Sequence, residues 1–116
     1  MEEKPVFYFE VEKSPDDQKG NKVTTVRCHG RVKAENVGEL KGTVKSLIEQ
    51  GGRIVMDLSD VHFVDSSGLG AFVALKVTAV KHGMCILEFV NMTSRILELM
   101  RMTRLEQILT SSGPSS

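Results

Sequence analysis

A chain of 116 residues is long enough for one domain and too short for two. It is 41% apolar and 26% charged, a globular composition that excludes an intrinsically disordered chain. Its 15 basic and 15 acidic residues cancel, so the basic excess of a nucleic-acid binder is absent, and 5% aromatic residues without Trp leave little to stack on bases. No apolar run approaches the roughly 20 residues of a membrane span. The first residues, MEEKPVFYFE, carry charges of both signs and no signal-peptide apolar core. Cys28 and Cys85 form neither a CxxC motif nor part of a metal cluster. The expectation is a reduced, cytoplasmic, single-domain protein with no cofactor and no metal.

Taken along the chain, Pro5 to Lys13 reads as a strand, rich in aromatic and β-branched residues. Ser14 to Lys22 is polar, with Pro, Gly and Asn, and reads as a loop. Val23 to Val32 is a second strand, close enough to the first to pair with it antiparallel. From Glu35 to Gln50 the period changes: Val37, Leu40, Val44, Leu47 and Ile48 share one helical face, and Gly51-Gly52 stops the helix. Arg53 to Leu58 reads as a buried strand, and Ser59 to Val64 as a connector with Val61, Phe63 and Val64 turned inward. A second helix opens at Asp65 to Gly68, runs through Leu69, Phe72, Val73, Lys76, Ala79 and Val80, and ends at His82-Gly83. Met84 to Val90 reads as another buried strand. Thr93 or Ser94 caps a third helix carrying Ile96, Leu97 and Met100, and Leu105, Ile108 and Leu109 mark one last short element. Residues 1–110 thus read as one domain, and 111–116 (TSSGPSS from Thr110 onward) as a frayed tail. The order β-β-α-β-α-β-α, with short strand–helix–strand links, predicts an α/β fold: a small mixed sheet with helices packed on it, its parallel neighbours joined by right-handed crossovers.

Catalytic motifs are scarce. Gly68-Leu69-Gly70 is no dinucleotide fingerprint, because Val73 stands where the third glycine belongs, and there is no Walker-type phosphate loop. His29, His62 and His82 are isolated in the sequence and read as polar edge residues. Cys28 and Cys85, inside strands, read as small buried hydrophobes. One run stands out: Asp65-Ser66-Ser67-Gly68-Leu69-Gly70, at a strand exit and a helix entry, where ligands and regulatory contacts gather in open α/β sheets. The plain structural reading is a helix cap, with Asp or Ser accepting from free first-turn amides and Gly68 allowing close backbone approach. A hydrolase nucleophile is the second reading, but the GxSxG elbow fails because Asp65 occupies the first glycine position, and no His is evidently placed as base. The third reading is a phosphoacceptor. A phosphate adds about −1.5 to −2 charges, and at a helix N-terminus it meets free amides and the positive dipole end.

The segment from Val55 to Leu75 (VMDLSDVHFVDSSGLGAFVAL) resembles the signature of STAS domains, and in particular of bacterial anti-sigma factor antagonists. Leu58, Val61, Phe63, Asp65, Ser66, Ser67, Gly68, Leu69 and Gly70 all match the pattern L-x-x-V-x-F-x-D-S-[ST]-G-L-G, and the resemblance extends from about Val6 to Leu109. It implies a non-enzymatic partner switch. The unphosphorylated antagonist binds an anti-sigma factor that is also a serine kinase, which frees the sigma factor; phosphorylation of the second motif serine, here Ser67, breaks the complex, and a phosphatase resets it. Asp65 and Ser66 would shape the acceptor site, and Gly68, Leu69 and Gly70 would belong to the contact surface. The pattern departs at Lys33, which stands where many members carry an acid after the second strand, and at Met102-Thr103-Arg104, which lacks the family's Gly. The alternative the resemblance allows is a non-phosphorylated STAS scaffold, or a subunit of a stress-signalling, lipid-transport or anion-transport complex.

Overall fold

The computed structural model describes residues 6–14 and 22–110. The polar segment read as a loop lies almost wholly outside them, as does the tail 111–116. Elements follow in the order β1 (Phe7–Ser14), β2 (Val23–Val32), α1 (Val37–Gln50), β3 (Gly52–Val64), α2 (Ser66–His82), β4 (Cys85–Val90), α3 (Ser94–Met102) and α4 (Glu106–Thr110). Among the described residues they build one four-stranded sheet in the order β1-β2-β3-β4, the expected α/β architecture. β1 runs antiparallel to β2, while β2, β3 and β4 are parallel.

Parallel neighbours need a crossover, and α1 and α2 supply the two. Both crossovers step the same way across the sheet, so right-handed connection lays both helices on one face, where they pack against each other. That explains a difference from the sequence reading. Arg53 to Leu58 and Met84 to Val90, which read as buried strands, bury only alternate residues. Ile54, Met56 and Leu58 on β3, Cys85, Leu87 and Phe89 on β4, and Val26 and Cys28 on β2 face the helices. The opposite face is half-exposed and carries an ion pair between Arg53 and Glu88 at 2.5 Å. A second difference is the length of β3. The stretch Ser59–Val64 continues the strand instead of connecting it, because two register shifts let Val61 and Val64 pair with Gly30 and Val32 while still facing the core. Gly30, at φ +105°, lies between those shifts. A Cβ there would come within 2.1 Å of the Val6 carbonyl, which the Arg31 N–H needs as its acceptor.

The core is closed by Phe72 of α2 against Phe89 of β4, with ring centroids 5.2 Å apart. Lys76, on the apolar spacing of α2, is buried, and its ammonium donates to the Leu87 carbonyl at 2.5 Å. Thr93 caps α3 by accepting from the Ile96 N–H, and Leu109 of α4 is buried, as its spacing suggested.

On the exposed sheet face, the histidines that the sequence leaves isolated are brought together. His29 stacks on Tyr8 and bonds Asp60 at 2.7 Å and Glu10 at 2.8 Å, so β1, β2 and β3 are joined through one ring; His62 reaches the same Asp60 at 3.1 Å. The Asp60 hydrogen bond, with Glu10 behind it, holds His29 protonated above its ordinary range against the opposing effect of burial. The His29 bond in turn holds Asp60 below the ordinary carboxylate range. A raised histidine contributes stability in full below its unfolded value of about 6.5 and loses it as pH climbs through the folded value. We therefore expect the urea midpoint of the wild-type chain to fall as pH rises from about 6 toward 9, and that slope to flatten in His29→Gln. Equal slopes in the two proteins would contradict this clasp.

Candidate functional site

β2 and β3 are parallel and end in register, Val32 against Val64. The chain segments leaving them therefore meet at the carboxyl edge of the sheet. After β2 the chain makes a tight turn braced by Asn36, whose side chain accepts from the Lys33 N–H and donates to the Arg31 carbonyl, both at 3.0 Å. After β3 it enters α2 with Asp65 at the N-cap position in extended backbone.

Asp65 joins these two segments. Its Oδ1 accepts from the Gly68 N–H at 2.8 Å, capping α2, and its Oδ2 accepts from the Ala34 N–H at 3.1 Å. Its own N–H donates to the Val32 carbonyl. The Gly68 amide holds this carboxylate below its ordinary value, helped by the amides of Ala34 and Ser67 and by the charge of Lys33 and opposed by desolvation. The side chain is thus ionised throughout the neutral range, as a cap and a tether.

Two residues from the motif point outward. Ser66 and Ser67, in the first turn of α2, are both exposed. The two motif glycines do different things. Gly68 is buried, and a Cβ on it would sit 2.8 Å from Val32 Cγ1 and 2.9 Å from Val64 Cγ1, so its missing side chain lets the helix start rest directly on the ends of β2 and β3. Gly70, one turn on from Ser66 and Ser67, is exposed, and a Cβ there would meet nothing within 4 Å. Leu69 is buried in the core. Of the residues expected at a contact surface, Gly68 and Leu69 are therefore buried and Gly70, after Ser67, is open to solvent. Lys33, half-buried, carries its charge close enough to Asp65 to stabilise that carboxylate.

The geometry offers little to an enzyme at this position. His29 and His62 bond Asp60 on the strands, and His82 lies at the far end of α2, so none of the three is a base for Ser67. Burial pushes the Cys28 thiol up to about 12 and raises that of Cys85, which makes both inert core groups. Among the described residues no group of His, Cys, Asp and Glu is arranged to hold a metal ion, and no helix is long and apolar enough to cross a membrane. The tether from Asp65 to Ala34 has no signature in the sequence, because it depends on the register of two strands. Once Val32 and Val64 are known to pair, it follows.

The two glycines yield a contrast in stability. Gly68→Ala is expected to lose about 1–3 kcal/mol by overpacking against Val32 and Val64. Gly70→Ala is expected to be neutral or to gain up to about 1 kcal/mol from better helix propensity. Urea denaturation of the two variants checks this, and equal losses would contradict the packing described.

Comparison with known proteins agrees with this architecture. The family model described as "Mlab, STAS domain" matches residues 16–110. The anti-sigma-B factor antagonist of Bacillus subtilis (strain 168) is 31% identical over 90 residues, which cover 78% of this chain and 82% of that protein. The solved structure of the anti-sigma factor antagonist SpoIIAA in its unphosphorylated form superposes with a TM-score of 0.69 at 16% identity, covering 90% of this chain and 86% of that one. The Bacillus cell fate determinant SpoIIAA in the phosphorylated form gives 0.65 at 17% identity over 84% and 85% of the two chains. An anti-sigma factor antagonist from Mycobacterium paratuberculosis gives 0.58 at 19% identity over 84% and 81%.

Proposed function

Because this chain belongs to the STAS domain family, we propose that it is an anti-sigma factor antagonist: a binding protein without catalytic activity that engages an anti-sigma factor and is switched off by phosphorylation at Ser67. The observation that carries this reading is the exposure of Ser67 at the entrance of a helix whose cap is supplied by a different residue, Asp65. A phosphoryl group added to Ser67 leaves the Asp65 cap and tether in place, so the domain stays folded while its outer surface gains about −1.5 to −2 charges. The nearby Asp65 carboxylate adds to that negative field, and Lys33 offsets part of it. A partner seated on the first turn of α2 loses its fit through charge and bulk.

Gly70 supports the same reading. A glycine inside a helix costs about 1 kcal/mol relative to alanine, and no packing contact of this domain requires one at that position. Its missing side chain makes sense as room for a second molecule to approach the backbone beside Ser66 and Ser67. The partners on this reading are an anti-sigma factor with serine kinase activity of the histidine-kinase-like ATPase type, and a phosphatase that restores the hydroxyl.

Incubation with such a kinase and ATP, followed by intact-mass measurement, is expected to add one phosphoryl group to the wild-type chain and none to Ser67→Ala. Ser67→Asp is expected to bind the anti-sigma factor at least tenfold more weakly than wild type, about 1.4 kcal/mol or more. A mass gain that survives Ser67→Ala, or wild-type affinity in Ser67→Asp, would contradict the switch. One observation favours a second reading, a STAS subunit without phosphorylation: Lys33 reverses the charge that the family pattern places after the second strand. On that reading Ser67→Asp and Ser67→Ala both bind as wild type, and the recovered partner is a transport or signalling assembly in place of a kinase.

A further inference from the structure

At the carboxyl ends of β2 and β3, beside α3, lies an open groove of about 650 Å³ lined by Arg31, Phe63, Arg95, Ile96, Leu99 and Met102. Its volume falls in the range of small-molecule sites, roughly 300–1,000 Å³, and its place is where open α/β sheets collect ligands. Three features of its wall are unexplained by the fold. Met102 is 76% exposed, which leaves a large apolar side chain in water at the rim, next to half-buried Leu99. The Arg31 guanidinium is held over the Phe63 ring, 4.9 Å from its centroid, which fixes a cation above an apolar surface. Arg31 and Arg95, like Arg104 outside the groove, have no carboxylate within ion-pairing distance among the described residues, whereas Arg27, Arg53 and Arg101 are each paired.

We propose that this groove binds a free, medium-chain monocarboxylate, with the alkyl chain laid along Phe63, Leu99 and Met102 and the carboxylate received by Arg31 and Arg95. Guanidinium groups suit a carboxylate because the planar fork matches its two oxygens. The charge count selects a monoanion: Glu98 also lines the groove, so two arginines and one glutamate leave a net +1 at the rim. An apolar chain on Met102 and Leu99 removes exposed hydrocarbon from water, which is the driving force for the rest of the ligand. The groove meets the site around Ser67 only at Val64, and none of the side chains proposed to hold the ligand belongs to that site, so it stands or falls independently of the switch.

The test is a titration of the full chain, methyl-labelled at Met, with decanoate, decanol and decyl phosphate. Decanoate is expected to shift the Met102 methyl saturably and to bind at least tenfold more tightly than decanol. Arg31→Gln and Arg95→Gln are each expected to weaken decanoate at least tenfold, and Met102→Glu, a change at an exposed position that leaves the core intact, to abolish binding. Lys45→Gln, exposed on α1, is expected to leave it unchanged. Equal affinity for decanol would overturn the arginine role, tighter binding of decyl phosphate would overturn the monoanion class, and no saturable shift would overturn the site.

Discussion

One carboxylate organises the carboxyl edge of the sheet. Asp65 accepts one hydrogen bond from inside its own helix and one from the turn that follows a neighbouring strand. The first ends the helix in a satisfied state, since first-turn amides otherwise lack partners. The second ties Ala34 to Asp65, segments separated in the chain by one helix and one strand. Both bonds are charge-assisted, which makes them stronger than neutral ones, and both require the carboxylate to be ionised. Much of what the region can do follows from the fact that Asp65, and not a serine, performs this work. The two serines beside it, Ser66 and Ser67, are left exposed and are not needed for the cap.

The same division of labour separates the glycines. Gly68 is a packing residue, because the helix start can rest on Val32 and Val64 only if no Cβ intervenes. Gly70 has no such reason within the domain, and its openness aligns it with Ser66 and Ser67 on the outer face. A short motif that looks uniform in one dimension therefore splits into an inward set (Gly68, Leu69), an outward set (Ser66, Ser67, Gly70) and a residue that holds both in place (Asp65). On the proposed switch, charge added to the outward set would alter the surface while the inward set keeps the helix seated.

Much of this was legible in the residues. The change of period from strand to helix at Glu35 and the glycines at 51 and 83 gave element types and order, and the run from Leu58 to Gly70 pointed to the family and to a candidate site. What was not legible depended on pairing. RIVMDL reads as a buried strand because its apolar residues are nearly continuous, yet only alternate residues face the helices, and Arg53 and Asp57 lie on the other face. Ser59–Val64 reads as a connector because Ser, Asp and His interrupt it, yet two register shifts keep Val61 and Val64 in the core. His29 and His62 look isolated because the residue that unites them, Asp60, sits across a strand boundary from His29. The helical spacing already includes Leu69 and the cap reading already has Gly68 allow a close approach, but that the helix start meets Val32 and Val64 depends on strand ends that no local pattern reveals.

The dependence of the site on Asp65 can be read directly by following the backbone amide resonances of Ala34 and Gly68 through an acid titration of the wild-type chain. If one carboxylate binds both, the two amides shift together with a common midpoint below the ordinary aspartate value, and neither shift occurs in Asp65→Ala. Separate midpoints, or a common midpoint at the ordinary value, would mean that the tether does not hold this end of the sheet together.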